Sequence, residues 1–114
     1  MKELQPLTEY FVSKNIIFKS IEEIRPKELA SRKKMEIYSA VGIDSNYYAI
    51  FIVDGKSRFL RKNADNLMEL CSKLIDLKDH NFKKKILLIS SPLCSKAKTY
   101  LKENGWKVSI DYKH

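Results

Sequence analysis

Hydrophobic residues recur at helical spacing in three stretches of the chain, which predicts three helices. The first predicted helix covers residues 6–14, and the second is a segment of about four turns capped by Asn63 or Asp65. The third has Ser91 as its N-cap and Pro92 at its first helical position, and it ends at Asn104-Gly105. Asn15 follows the first helix, and asparagine tolerates the left-handed backbone that often ends a helix.

Runs rich in β-branched and aromatic residues lie outside these helices and predict strands. The predicted strands are residues 16–18, 36–43, 47–53, 84–90 and 106–111. The turn formers Asp44-Ser45-Asn46 separate the second from the third, which predicts an antiparallel hairpin with Asn46 in the left-handed conformation. The order α-β-β-β-α-β-α-β therefore predicts an α/β domain of three layers, with helices on both faces of a central mixed sheet.

The composition is that of an ordinary globular domain. The 114 residues are 44% hydrophobic and 32% charged, which predicts one domain over residues 1–114 with one core. No apolar run approaches the roughly 18 residues of a membrane span, and the first residues lack the features of a secretory signal. Only two cysteines are present. We therefore expect a soluble protein in the reducing cytoplasm.

Basic residues are in excess and are clustered. The 22 Lys and Arg outweigh the 14 Asp and Glu, for a formal net charge of +8. The residues predicted to bind nucleic acid are Arg25, Lys27, Arg32, Lys33, Lys34, Arg58, Arg61, Lys62, Lys83, Lys84 and Lys85. The first five lie in a polar connector over residues 22–34, which has room for one helical turn after Pro26. Such clusters favour contact with a phosphate backbone, and the alternative is a lysine-rich surface that only maintains solubility.

The segment Asp54-Gly55-Lys56 has two interpretations. An Asp-Gly pair beside alternating apolar residues is a strong signal for a hairpin turn. The strand after such a turn would be SRFLRKN, in which only Phe59 and Leu60 could pair with a seven-residue apolar strand. If the strand instead continues through Lys56, then Asp54 and Lys56 lie on one face, because side chains alternate with period two.

The predicted hairpin register places a second acidic residue, Glu36, opposite Asp54. With the loop at residues 44–46, Ile43 lies opposite Tyr47 and Glu36 lies opposite Asp54. Opposed Cβ atoms are about 4.5–5.5 Å apart, so we expect the two carboxylates within about 6 Å of each other. Like charges this close are destabilising, and a divalent cation would offset them. The alternative is a structural ion pair of Lys56 with Glu36 or Asp54 on a solvated sheet edge.

These residues resemble the site of the restriction-endonuclease-like nucleases, the superfamily named for its PD-(D/E)XK motif, and most closely the archaeal Holliday junction resolvases and Mrr-type domains. Glu36 corresponds to the acid that opens the family's second strand, and Asp54-Gly55-Lys56 to the acid-X-Lys triplet that ends the third. The segment ILLISSPLCSKAKTYLKENGWKV is similar to the family's later strand, helix and strand. Met35 stands in place of the motif's proline and Gly55 in place of a residue that is normally apolar.

The resemblance implies a restriction-endonuclease-like fold and a metal-dependent DNA endonuclease, a hydrolase of phosphodiester bonds. Glu36, Asp54 and the Gly55 carbonyl would hold Mg²⁺ or Mn²⁺, with Glu9 of the first helix as a further candidate ligand. Lys56 would orient the attacking water and stabilise charge that develops on the phosphate. The family also implies a homodimer in which two sites cut two DNA strands. The alternatives are a non-catalytic nucleic-acid-binding module of the same fold and a small α/β interaction protein.

Overall fold

The computed structural model describes residues 5–24, 35–53, 58–78 and 81–110. Its elements in chain order are α1 (Gln5–Ser13), β1 (Phe18–Ile24), β2 (Glu36–Gly42), β3 (Tyr47–Val53), α2 (Arg61–Lys78), β4 (Lys84–Ile89), α3 (Ser95–Glu103) and β5 (Trp106–Ser109). This is the predicted order, and the α/β class is confirmed. Within the described segments, no helix has the length and apolar character that crossing a membrane requires.

The five strands form one mixed sheet whose spatial order is the same as the chain order, β1-β2-β3-β4-β5. β1, β2 and β3 pair antiparallel to one another. β3, β4 and β5 pair in parallel, and α2 and α3 supply the connections that parallel neighbours need. Antiparallel hairpin pairing and helix-linked parallel pairing thus meet at β3.

Each face of the sheet carries its own hydrophobic cluster, because alternate residues of a strand point to opposite sides. On one face, Leu7 and Phe11 of α1 pack against strand residues that include Tyr38 and Ile50. The other face packs against α2 and α3. Its members include Ile37, Phe51, Leu67, Leu74, Leu87, Leu101 and Trp106. The expected arrangement, with helices on both faces of the sheet, is therefore present.

The helix ends differ in part from the prediction. Asn15 has the left-handed backbone expected after α1, with φ of 65°. α2, however, begins at Arg61, before both predicted caps. Asn63 lies inside its first turn, where the side-chain Oδ1 accepts a hydrogen bond from the Leu60 N–H at 2.8 Å. Asn63 therefore caps the helix from within, as the third-position residue of a capping box does, and not from the N-cap position.

The start of α3 was predicted wrongly. The helix begins at Ser95 with Cys94 as its N-cap, and not at Ser91 and Pro92. The Pro92 carbonyl instead accepts the Phe59 N–H at 2.7 Å, and Phe59 forms a parallel bridge with Leu93. Pairing to the segment before α2 therefore keeps residues 91–93 extended.

The first strand was also placed too early. β1 starts at Phe18, the last residue of the predicted run, and continues to Ile24, so it includes the first residues of the predicted connector. Glu22 and Glu23 are both exposed on it, so this edge strand meets solvent on both faces of the sheet at these residues. The helical turn predicted after Pro26 lies outside the described residues.

The register of the β2–β3 hairpin was predicted wrongly by two residues. Gly42 donates its N–H to the Asn46 carbonyl at 2.9 Å, so the turn residues are 43–45, and Ser45 has the left-handed backbone with φ of 67°. The Asp44 carboxylate accepts the Asn46 N–H at 3.0 Å and the Asn46 side-chain amide at 2.8 Å, which stabilises this earlier turn. As a result, Glu36 lies opposite Ile52 and not opposite Asp54.

Candidate active site at the carboxyl edge of the sheet

Four strands end at the same edge of the sheet. β1, β3, β4 and β5 end there, at Ile24, Val53, Ile89 and Ser109, and β2 begins there at Glu36. We call this the carboxyl edge. In α/β sheets, ligands bind outside the carboxyl ends of parallel strands, where loops can present side chains. The predicted site residues of both hairpin strands belong to this edge or to the chain directly after it.

Glu36 is held at the carboxyl edge by its strand and by a neighbouring tyrosine. It is the first residue of β2 and is half-buried. The Tyr38 hydroxyl donates a hydrogen bond to Glu36 Oε1 at 3.0 Å, and Tyr38 is itself only 2% exposed. Both side chains lie on the α1 face of the sheet, because residues two apart on a strand share a face. The buried tyrosine thus restricts the orientation of a carboxylate at the edge.

The triplet Asp54-Gly55-Lys56 lies outside the described residues, so the predicted distance between the Glu36 and Asp54 carboxylates stays a prediction. Backbone hydrogen bonds hold the described chain on either side of the triplet. Val53 accepts the Ser90 N–H at 3.0 Å. After the triplet, Phe59 donates its N–H to Pro92 and accepts the Cys94 N–H at 3.0 Å. Both ends of residues 54–57 are therefore attached to the segment that follows β4.

The predicted nucleic-acid-binding residues divide between two ends of the sheet. Arg58, Arg61 and Lys62 are exposed where the chain enters α2 from the carboxyl edge. Lys83 precedes β4, and Lys84 and Lys85 are its first two residues, so this cluster lies at the opposite edge of the sheet. The members that lie outside the described residues are Arg25, Lys27, Arg32, Lys33 and Lys34. The sequence clusters therefore do not all belong to one edge.

Arg61 takes part in a contact between α2 and α3. Its guanidinium lies 4.5 Å from the centre of the Tyr100 ring. The Tyr100 hydroxyl donates to Asp65 Oδ1 at 2.6 Å, and this hydrogen bond raises the pKa of the Tyr100 phenol. Arg61 acts in the opposite direction on that pKa. The contact fixes the start of α2 against α3 beside the carboxyl edge.

Glu9 is placed less favourably for a role at the site. It lies in the middle of α1 and its side chain is exposed. Leu7 and Phe11, two residues away on either side, face the sheet, so Glu9 lies on the other side of the helix. Its role as a metal ligand stays a prediction.

A metal ion was predicted at Glu36, Asp54 and Gly55, and Glu36 is the described member of that set. A half-buried carboxylate at a strand end has the hard oxygen donor that Mg²⁺ and Mn²⁺ prefer, so this residue fits the predicted ion. Across the four described segments, no three His, Cys, Asp or Glu side chains come together as a ready-made ligand cluster. A cluster of three such donors at this edge would therefore need residues outside the described segments in addition to Glu36.

Two residues that the pattern analysis did not single out contribute to the edge. Tyr38 orients Glu36, and the Glu-X-Tyr spacing on a strand was a signal for this, since it places both side chains on one face. Ser90 binds Val53 through its backbone N–H, and its hydroxyl donates to the Val53 carbonyl at 3.4 Å. No sequence signal pointed to Ser90, because the contact depends on the parallel pairing of β3 with β4.

Comparison with known proteins shows the fold. No family model matches the chain, and no curated protein matches it. Among solved structures, 99% of the chain matches a repair endonuclease from Pyrococcus abyssi with a TM-score of 0.53 and 15% identity. The whole chain matches EndoMS in its apo form with a TM-score of 0.57 and 13% identity. It spans about half of each of these proteins, 49% and 48% respectively. The chain thus has an α/β fold that occurs in repair endonucleases.

Proposed function

We propose that this domain is a metal-dependent DNA endonuclease whose active site lies at the carboxyl edge. The observation that carries the proposal is the position of Glu36, oriented by Tyr38, on the strand beside the one that leads into Asp54-Gly55-Lys56. The likeness of nearly the whole chain to about half of a repair endonuclease and to about half of EndoMS supports it.

The covalent chain limits how far the triplet can be from Glu36. Opposed residues of an antiparallel pair have Cα atoms about 4.5–5.5 Å apart, and Glu36 opposes Ile52. Two residues span at most about 7 Å, so the Cα of Asp54 is within about 12 Å of that of Glu36. Two carboxylate side chains that extend toward each other can share one cation across such a gap. The observed register therefore remains compatible with a joint metal site, although the two acids are not directly opposed.

Each residue has a distinct role in the proposed hydrolysis. Glu36, Asp54 and the Gly55 carbonyl would hold Mg²⁺ or Mn²⁺, which when bound polarises the scissile phosphate and acidifies a water. Tyr38 keeps the Glu36 carboxylate aimed at the edge. Lys56 orients the attacking water and places a positive charge beside the phosphate as its negative charge increases. Arg58, Arg61 and Lys62 hold the DNA backbone against this edge, and a homodimer would cut both strands.

Cleavage by single-residue variants tests the proposal. The purified protein is incubated with Mg²⁺ or Mn²⁺ and branched, duplex or single-stranded DNA. We expect Asp54→Asn, Glu36→Gln and Lys56→Ala each to reduce the cleavage rate by about 100-fold or more, because each removes a charge that acts in the transition state. Asp76→Asn and Lys73→Ala are matched controls on the far part of α2 and should cleave like wild type.

Binding measured on the same variants separates catalysis from affinity. Asp54→Asn should bind DNA as well as wild type or slightly more tightly, because a negative charge that faces the phosphates is removed. Lys56→Ala should lose at most one phosphate contact. If wild type binds DNA but cleaves no DNA form with either metal, the enzyme proposal is wrong, and a non-catalytic binding module of the same fold explains the chain better.

A further inference from the structure

A groove opens at the edge of the sheet opposite the proposed active site. It has a volume of about 550 Å³ and lies where β4 and β5 begin, beside the end of α3 and the residues that follow α1. We call it the lysine groove, after the five lysines that line it: Lys14, Lys84, Lys85, Lys102 and Lys107. They come from four separate parts of the chain, and only Lys84 and Lys85 belong to a cluster visible in the sequence.

The charge of the lysine groove is of one sign. The described residues that line it include no Asp or Glu and no Arg. Lys84, Lys102 and Lys107 are exposed, so their ammonium groups are available at the rim. A carboxylate does lie near the margin, since Asp44 Oδ2 accepts a hydrogen bond from the Tyr48 hydroxyl at 3.3 Å. Asp44 also accepts two hydrogen bonds from Asn46, so the hairpin turn already holds it.

The large apolar side chains that line the lysine groove are almost fully buried. Tyr48 and Trp106 line it but are only 5% and 4% exposed, and Ile86 is buried as well. The aromatic rings are therefore covered and offer no open face on which a base could stack. What the groove presents to a ligand is a set of lysine ammonium groups around a recess. Such a surface recognises a series of negative charges and not the identity of a base.

The lysine groove suits a ligand that carries several negative charges at a regular spacing. Each lysine is a compact point charge on a flexible stem, so the described lining can meet a series of anions without requiring one planar geometry. One nucleic-acid strand carries a phosphate at every nucleotide on a continuous backbone, so a single strand can meet several lysines at once. An acidic peptide has no such fixed spacing of charges.

We propose that the lysine groove is a second binding site for nucleic-acid backbone, separate from the carboxyl edge. The inference rests on the proposed function only in taking DNA as the nucleic acid. β4 runs from the lysine groove at Lys84 to the carboxyl edge at Ile89, a rise of about 17 Å at 3.3 Å per residue. The domain therefore holds DNA at two places separated by the length of the central strands, and the distant contact carries no sequence preference.

The test uses two lysines that the sequence clusters do not include. The groove variant carries Lys102→Gln and Lys107→Gln together and loses two charges from the lysine groove. The control, the α2 variant, carries Lys73→Gln and Lys78→Gln and loses two charges from α2, where each lysine is paired with a glutamate. Binding of a short labelled DNA duplex and of a labelled single strand is measured by fluorescence anisotropy between about 50 and about 200 mM salt. Thermal unfolding checks that both double variants fold.

We expect the groove variant to bind each DNA at least about fivefold more weakly at the lower salt concentration. The slope of log K against log salt should become shallower by about 1.8 for the duplex and by about 1.4 for the single strand, because each phosphate contact contributes about 0.9 and about 0.7 respectively. The α2 variant should keep the affinity and the salt slope of wild type, apart from a small loss of affinity caused by its lower net charge. Unequal losses between different DNA sequences would contradict a contact limited to the backbone.

Two results would overturn the assignment. If the groove variant binds DNA like the α2 variant while wild type binds and cleaves, the lysine groove is not a DNA site and the proposed nuclease stands. If poly-glutamate displaces DNA as effectively as unlabelled DNA at equal charge concentration, the groove serves an acidic protein partner instead. Absence of any DNA binding by wild type would contradict the proposed function as well, so the two failures are distinguishable.

Discussion

The two cysteines lie in opposite environments. Cys71 lies on the core-facing side of α2, where burial raises the pKa of its thiol to about 11. Cys94 is half-buried at the N-terminus of α3. The N–H groups of Ala97 and then Lys96 lower the pKa of its thiol, and the charges of Arg58 and Lys96 act in the same direction. Because the thiolate is the reactive form, the two side chains should differ in reactivity.

We predict that iodoacetamide modifies Cys94 much faster than Cys71 in the folded protein. Since the pKa of Cys94 is lowered, its reaction should persist to lower pH than that of a free cysteine, whereas Cys71 should stay unmodified at neutral pH. Peptide mapping by mass spectrometry over a pH series measures both rates. In denaturant the two rates should converge, and equal rates in the native protein would contradict the assignment.

Gly42, the last residue of β2, lies close to the side chains of Asp44 and Tyr48. A Cβ atom at this position would be 2.5 Å from Asp44 Oδ1 and 2.9 Å from Tyr48 Cε1. We predict that Gly42→Ala lowers the free energy of unfolding by about 1–3 kcal/mol, because the turn or the tyrosine must move. Denaturant titration gives the value. Ser39→Ala, on the same strand away from the turn, is the control and should cost less than Gly42→Ala.

At the scale of a single element, α2 depends on a cap inside its first turn. The Asn63 side chain satisfies the Leu60 N–H, which otherwise has no partner within the helix. Asn63→Ala should therefore destabilise the protein by about 0.5–2 kcal/mol, as the loss of a helix cap does. Ser72→Ala, on the exposed side of the same helix, should be close to neutral. If chemical denaturation gives the two variants the same stability, the hydrogen bond contributes nothing measurable.

The elements that could be predicted from sequence are those with strong local patterns. β3 has the predicted bounds because its apolar run is buried on both faces, and α3 ends at Asn104-Gly105 as expected, with Gly105 at φ of 83°. The start of α3 was missed because Ser91-Pro92 has the local signature of a helix start. A long-range bond from Phe59 to the Pro92 carbonyl overrides that signature. Local chemistry in the sequence does not encode such a partner.

The candidate site was predictable to a similar extent. Glu36 does open β2, as its place at the start of a β-rich run indicated. Its cross-strand partner was predicted wrongly, because the position of a turn decides the register and Asp44 stabilises the turn one residue earlier than expected. The lysine groove had only a partial signal in the Lys84-Lys85 pair, since Lys14, Lys102 and Lys107 are distant from that pair in the chain and join it only in the fold.

At the scale of the whole molecule, α1 covers one face of the sheet without help from the other described helices. Phe11 is 2% exposed and packs edge-on against Phe18, with ring centres 5.0 Å apart. We predict that Phe11→Ala lowers the free energy of unfolding by about 3–5 kcal/mol, a large share of the stability of a small domain. Val12→Ala, at a neighbouring residue that is 49% exposed, should cost less than about 1 kcal/mol. Thermal and chemical denaturation should agree on this difference.

The identity of strand order and chain order has a consequence for synthesis on the ribosome. Each strand pairs with the one made just before it, so the growing sheet always extends at its newest edge. Among the described strands, none has to enter between two that have already paired, and the first three can form their antiparallel ladder before α2 has been translated. The parallel half then adds one helix and one strand at a time. The nascent chain can therefore assemble in the direction in which it emerges, without reopening any pairing already made.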